Sequence, residues 1–241
     1  DAARVPPRHG LPLSASPFAE LLGNLSNRSS SDTGSGWQEQ NNFYYPPEDK
    51  NMAFTDPKWF DSTYYMAQKL AQMQKADPAG NWTADSLATA FAANGFVDQK
   101  DGSTAAYAHF VQFGASEDVA PNAYFNANEY YYAKAAQYFG VETASATQAA
   151  AVAKLIQDAG MNAWTHYQKY GSDEGVNPSN AFDADAYLAA KAAAMGGDWT
   201  ADSIAKAIDD NGMTVLEHYL TFAGTGEGEV PAGATYPVSD G

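Results

Sequence analysis

One short pattern occurs three times and organises most of the chain. It reads His166-Tyr167-Gln168-Lys169-Tyr170-Gly171 in the middle of the sequence, His109-Phe110-Val111-Gln112-Phe113-Gly114 upstream and His218-Tyr219-Leu220-Thr221-Phe222-Ala223-Gly224 downstream. Each copy is followed by a loop holding Glu, Val and Pro, with Glu117, Glu174 and Glu227 as the acids. Further landmarks keep step. Starting from Phe60, Phe125 and Phe182, the fifth residue on is Tyr65, Tyr130 or Tyr187, and the ninth is Lys69, Lys134 or Lys191. Self-similarity at such a spacing is the signature of a repeat architecture, in which each unit buries its apolar face with the help of its neighbours. The expected organisation is an N-terminal segment 1–53 and three tandem repeat units of roughly 55–65 residues, at 54–124, 125–181 and 182–241.

Each unit reads as three helices. Asp61, Asn126 and Asp183 follow the landmark Phe and suit an N-cap, where a side-chain oxygen accepts from the free N–H groups of the first turn. Alanine-rich stretches come next, and alanine has the highest helix propensity. A second helix opens at Trp82-Thr83-Ala84-Asp85-Ser86 and at Trp199-Thr200-Ala201-Asp202-Ser203, with Thr147 expected at the place of the Trp in the middle unit. Leu87/Phe91, Val152/Ile156 and Ile204/Ile208 recur four apart, one face of a helix. Gly95, Gly160 and Gly212 are placed to close it in the left-handed conformation. The third helix carries the opening pattern and is expected to stop at Gly114 and Gly171. No alternating strand pattern occurs, so the predicted class is all-α.

Residues 1–53 differ in composition. All three arginines, Arg4, Arg8 and Arg28, lie there, and Ser29-Ser30-Ser31 and Gly34-Ser35-Gly36 have the composition of a flexible linker. A poorly ordered segment is expected, interrupted by a short helix at Ser16-Pro17-Phe18-Ala19-Glu20-Leu21-Leu22. The chain has no cysteine, which excludes disulfides, thiolate chemistry and zinc–cysteine sites. A formal charge of −16 opposes nucleic-acid binding, which needs clustered Lys and Arg. No run approaches the ~18 apolar residues of a membrane-spanning helix.

The recurring polar residues invite chemistry and argue against it. A metal centre needs ligands that converge, whereas His109, His166 and His218 fall one per unit. They are expected to be semi-buried, with one ring nitrogen bonded to a backbone carbonyl or the following loop. A catalytic lysine is needed once. Lys69, Lys134 and Lys191 are instead expected to lie along the aromatics and to pair with Glu117, Glu174 and Glu227. Carboxylates for weak calcium binding are offered by Asp98 and Asp101, in an insertion peculiar to the first unit, and by Asp173 and Glu174. The alternating acids of a helix–loop–helix calcium site are absent from both loops. No nucleophile elbow, zinc-protease helix or phosphate-cradling loop is present. No cofactor is expected beyond that calcium.

The patterns Phe182-Asp183-x-x-x-Tyr187 and His166-Tyr167-x-x-Tyr170-Gly171-x-x-Glu174-Gly175-x-x-Pro178 resemble helical repeats of large secreted bacterial surface proteins of the surface-layer and adhesin type. Those repeats occur beside calcium-binding nonapeptides and in some exported hydrolases. The resemblance spans roughly residues 54–236. It implies a non-catalytic, extracellular or cell-surface helical module that meets itself or another surface protein. The nonapeptides themselves are missing here, and no functional residue carries over. Two other functions stay open at this point. One is a carbohydrate- or peptide-binding module using Trp37, Tyr44, Tyr45 and Trp59, which makes a glycan a candidate partner. The other is a hydrolase with its site between units.

Overall fold

The structure, a computed structural model, describes residues 56–99 and 104–238. The expectations placed on the segment 1–53, including Trp37, Tyr44 and Tyr45, and on Asp101 lie outside the described residues. Residues 54–241 form one compact unit.

Among the described residues there are nine helices and no strand. α1 is Ser62–Ala76, α2 Ala84–Ala93 and α3 Ala105–His109, which continues as a π-helical turn over Phe110–Gly114. α4 is Ala127–Phe139, α5 Ala146–Asp158 and α6 Ala163–His166, continuing as a π turn over Tyr167–Gly171. α7 is Ala184–Met195, α8 Ala201–Asp210 and α9 Val215–Phe222. α1, α2 and α3 pack on one another, as do α4, α5 and α6, and then α7, α8 and α9. We refer to these as three helix trios. None of the helices is long and apolar enough to cross a membrane.

Local chemistry sets the helix starts. Asp61, Asn126 and Asp183 each accept a backbone N–H of the first turn. Thr83 with Ser86, Ser145 with Gln148 and Thr200 with Ser203 form reciprocal capping boxes. The middle one corrects the sequence expectation. Because Ser145 and Gln148 complete a box, α5 begins earlier and Thr147 lies inside it, while Ala144, buried, stands before the cap. Gly95, Gly160 and Gly212 follow the ends of α2, α5 and α8 with φ of 87°, 76° and 71°, the left-handed region that glycine enters without steric cost.

The core of each trio is a triangle of buried rings. Phe60, Tyr65 and Phe110 have centroids 5.4–5.7 Å apart. Phe125, Tyr130 and Tyr167 lie 5.8–6.0 Å apart, and Phe182, Tyr187 and Tyr219 5.2–5.7 Å apart. Each such pair adds about 0.5–1.5 kcal/mol beyond the burial of its area. A backbone hydrogen bond then ties each trio's first residue to the loop that ends it. Asp61 N–H donates to Pro121 C=O (3.0 Å), Asn126 to Pro178 (3.1 Å) and Asp183 to Tyr236 (2.5 Å).

The residues before the first two landmark Phe residues reach the next trio. Trp59 lies 4.7 Å from Trp164, and Tyr124 lies 5.3 Å from Tyr219. Gln168 donates to the buried Glu217 carboxylate (2.8 Å), and Val215 N–H donates to Ser172 Oγ (3.1 Å). Trp59 is therefore a half-buried residue at the junction of the first two trios, packed on Trp164.

Candidate functional site

Every trio carries a polar layer beside its aromatic triangle, built from the recurring Tyr, His and Lys. Tyr65 and Lys69 lie four apart on α1, so they share a face. The same holds for Tyr130 and Lys134 on α4, and for Tyr187 and Lys191 on α7. Opposite them, α3, α6 and α9 present the histidines. Tyr65 Oη lies 2.6 Å from His109 Nδ1, Tyr130 Oη 2.6 Å from His166 Nδ1 and Tyr187 Oη 2.7 Å from His218 Nδ1. The partner is a tyrosine of the same trio, not the backbone carbonyl or loop expected from sequence.

The electrostatics favour the neutral form of both partners. Burial pushes all three phenols up. Burial, and secondarily the charge of Lys134, pulls His166 down to about 3. His109 and His218 are also lowered, by burial first. Glu117 and Glu229 work against that shift, and Lys69 and Lys191 reinforce it. A protonated phenol donating to the unprotonated Nδ1 of a neutral imidazole satisfies the hydroxyl and that ring nitrogen, and leaves the ring proton on Nε2.

This contact explains a glycine. Gly114 and Gly171 sit inside the π turns with ordinary helical φ, and a Cβ there would fall 2.1 Å from Tyr65 Oη or 2.2 Å from Tyr130 Oη. The helical segments end at Gly114 and Gly171, where the sequence pattern placed the stop, and the glycines also give the tyrosine hydroxyl room to reach its histidine. In the third trio Ala223 occupies the position. There the helix ends at Phe222, and Ala223 leaves it with φ −52°, ψ 124°.

The lysines are consumed as well. Lys69 Nζ donates to Glu117 (2.7 Å) and to Gln72 Oε1 (2.8 Å). Lys134 does the same with Glu174 (2.5 Å) and Gln137 (2.7 Å). Both glutamines return a bond to the backbone carbonyl of that glutamate. Lys191 pairs with Glu229, correcting the sequence-based choice of Glu227, and donates to Gly228 C=O (2.8 Å), since Ala194 supplies no amide.

The described calcium candidates have partners or positions of their own. Asp98 accepts the N–H of Ala105 at the start of α3 (3.1 Å). Glu174 is engaged by Lys134, and Asp173 is exposed beside it. Among the described residues no group of three or more His, Asp or Glu is set to hold a metal ion.

Two features escaped the sequence reading. Asp118 adopts φ 56° where Gly175 and Gly228 stand in the other two loops. An L-residue is strained there, and its carboxylate accepts from the Tyr131 hydroxyl of the next trio (3.2 Å). The signal was an Asp in register with two glycines. The second feature is a surface groove in the first trio, between Trp82 and Phe113, with His109 at its base.

Chemically, the Tyr–His–Lys layers bind their own protein. His166 has no solvent exposure, so no substrate atom reaches it, and each lysine already holds a carboxylate. No protein-family model matches the chain, and neither a curated protein nor a solved structure matches it.

Proposed function

We propose that residues 54–241 are three tandem three-helix repeats, 54–124, 125–181 and 182–241, forming a non-catalytic structural or interaction module. It works outside the cell, on a bacterial surface, and meets copies of itself or another surface protein. The observation that carries this is the inward commitment of the recurring polar residues. Three histidines and three lysines, the groups best suited to proton transfer or covalent chemistry, are all spent on partners within their own trio. Repetition of a packing device, with each copy joined to the next by side chains of both, fits a module whose product is a surface. The location rests on the resemblance of the His-Tyr-x-x-Tyr-Gly pattern to repeats of secreted surface proteins.

The test is the mass of the full chain in solution by light scattering, over a wide concentration range, with and without calcium. Self-association that grows with concentration is expected. Calcium is included because Asp98, Asp101, Asp173 and Glu174 are the carboxylates it would engage. A chain that stays monomeric throughout, and that captures no surface protein from its source, sinks the proposal.

A further inference from the structure

In the groove of the first trio, aromatic faces and polar side chains meet in the open. It encloses about 510 Å³, within the ~300–1,000 Å³ range of small-molecule sites. Its rim is Trp82, half-buried, and Phe113, 44% exposed. Its wall is a stack in which His109 lies 4.3 Å from Phe91, nearly parallel, with Phe96 edge-on at 5.0 Å. Rings hold one another in place there, so the outer face of Phe113 is fixed without any ligand.

The polar side is half-spent. Glu117 holds Lys69 with one oxygen, yet its side chain is 39% exposed, against 17% and 16% for Glu174 and Glu229 in the equivalent ion pairs. Gln112 is exposed at the edge, and Asn94 uses its amide N–H₂ on Ala90 C=O, leaving its carbonyl oxygen to accept. The middle trio lacks the rim, since buried Ala144 precedes its capping box where Trp82 precedes the first.

We infer that this groove binds a neutral saccharide, with a sugar ring laid on Trp82 and Phe113 and its hydroxyls bonded to Gln112, Asn94 and the free oxygen of Glu117. Rigid aromatic faces cover the apolar side of a pyranose, and side-chain amides and carboxylates match hydroxyls that both donate and accept. Charge selects the class. Lys69 and Glu117 cancel, so the groove offers no net charge to an ionic ligand, and a chain of charge −16 repels anions.

The experiment uses the full chain with cello-, chito-, manno- and xylo-oligosaccharides, followed by tryptophan fluorescence and saturation-transfer NMR. At least one is expected to bind below about 10 mM. Trp82→Ala and Phe113→Ala should each weaken it at least tenfold while leaving the melting temperature in place. If Trp82→Ala lowers that temperature, Gln112→Ala, on an exposed side chain, replaces it as the test. Trp199→Ala, in the third trio, should leave affinity unchanged. The inference fails if no saccharide binds, if aromatic peptides bind and saccharides do not, or if affinity survives both rim substitutions. It fails equally if Trp199→Ala alone abolishes binding. Self-association of the chain is a separate measurement, so either proposal falls without the other.

Discussion

The second and third trios place the same tyrosine and histidine 2.6 and 2.7 Å apart, yet reach that contact differently. In the second, the helix widens into a π turn and Gly171 passes beneath Tyr130 Oη. In the third, Ala223 stands at that position, no π turn forms, and the chain leaves the helix one residue after Phe222. A single methyl decides between the two. The π turn inserts extra backbone just where a buried hydroxyl approaches, and it persists only where the residue beneath has no side chain.

Breaking the glycine is the most severe way to challenge this contrast. Gly171→Ala puts a Cβ 2.2 Å from the hydroxyl of a tyrosine with no room to retreat. A loss of about 3 kcal/mol is expected in chemical denaturation, combining overpacking with a broken buried hydrogen bond. Adding Tyr130→Phe, which removes the clashing oxygen, should recover part of it. The reciprocal Ala223→Gly should change stability by less than about 0.5 kcal/mol. Equal effects of the two substitutions would end the explanation.

Next in size is the histidine. His166→Ala leaves a cavity and an orphaned Tyr130 hydroxyl, and should cost about 2–3 kcal/mol. His218, half-buried, should cost about 1 kcal/mol because water can replace its ring. A variant of either that kept its stability while an activity vanished would show that these histidines serve a reaction.

Acid probes the same pair without mutation. His166 is depressed from the ordinary imidazole value to about 3, so between those limits the unfolded chain binds the extra proton. Its stabilisation is complete above pH ~6.5 and drains as pH falls toward 3. The fall should be about 2 kcal/mol between pH 6.5 and 5 at one proton's slope. The His166→Ala variant should show a shallower profile over that window. A profile equally steep with and without His166 would remove it as the source.

The smallest expected effect is at the first junction. Asp118→Gly relieves left-handed strain and loses the bond from Tyr131, two terms of about 1 kcal/mol each and opposite sign. The net should stay within about 0.5 kcal/mol. The informative measurement is the double-mutant cycle. Tyr131→Phe should cost about 1 kcal/mol in the native background and nothing when Asp118 is already glycine.

Much of this fold was legible because helix ends are local chemistry. Asp61, Asn126, Asp183, Thr83 and Thr200 cap as their residue types dictate, and the helical class follows from alanine content and apolar residues spaced four apart. The start of α5 was misjudged because the apolar pair Val152/Ile156 fixes a face and says nothing of how far the helix runs back. Only the Ser145–Gln148 pairing does that. The Tyr–His contact was hidden for a different reason. Tyr130 and His166 are 36 residues apart, and no rule of spacing joins residues on separate helices. Gly171 marked the helix end, while the second reason for a glycine there, the close approach of a tyrosine from another helix, belongs to tertiary placement. The choice of Glu229 over Glu227 depended on where the loop brings its carbonyl, again a matter of tertiary placement. The groove stayed unseen because Trp82 reads first as a neighbour of a cap.

The backbone bond from Asn126 to Pro178, with its equivalents from Asp61 to Pro121 and from Asp183 to Tyr236, bears on mechanics. The two ends of each trio are fastened side by side, so tension applied along the chain meets those fastenings before it reaches any helix. The aromatic triangle behind them stays shielded until a fastening shears. A protein of this kind held at both ends should therefore lengthen in steps, not smoothly. Release of the middle trio alone would add roughly 190 Å of extended chain, and single-molecule pulling would register it. A force trace with one continuous slope would show that the fastenings carry no tension.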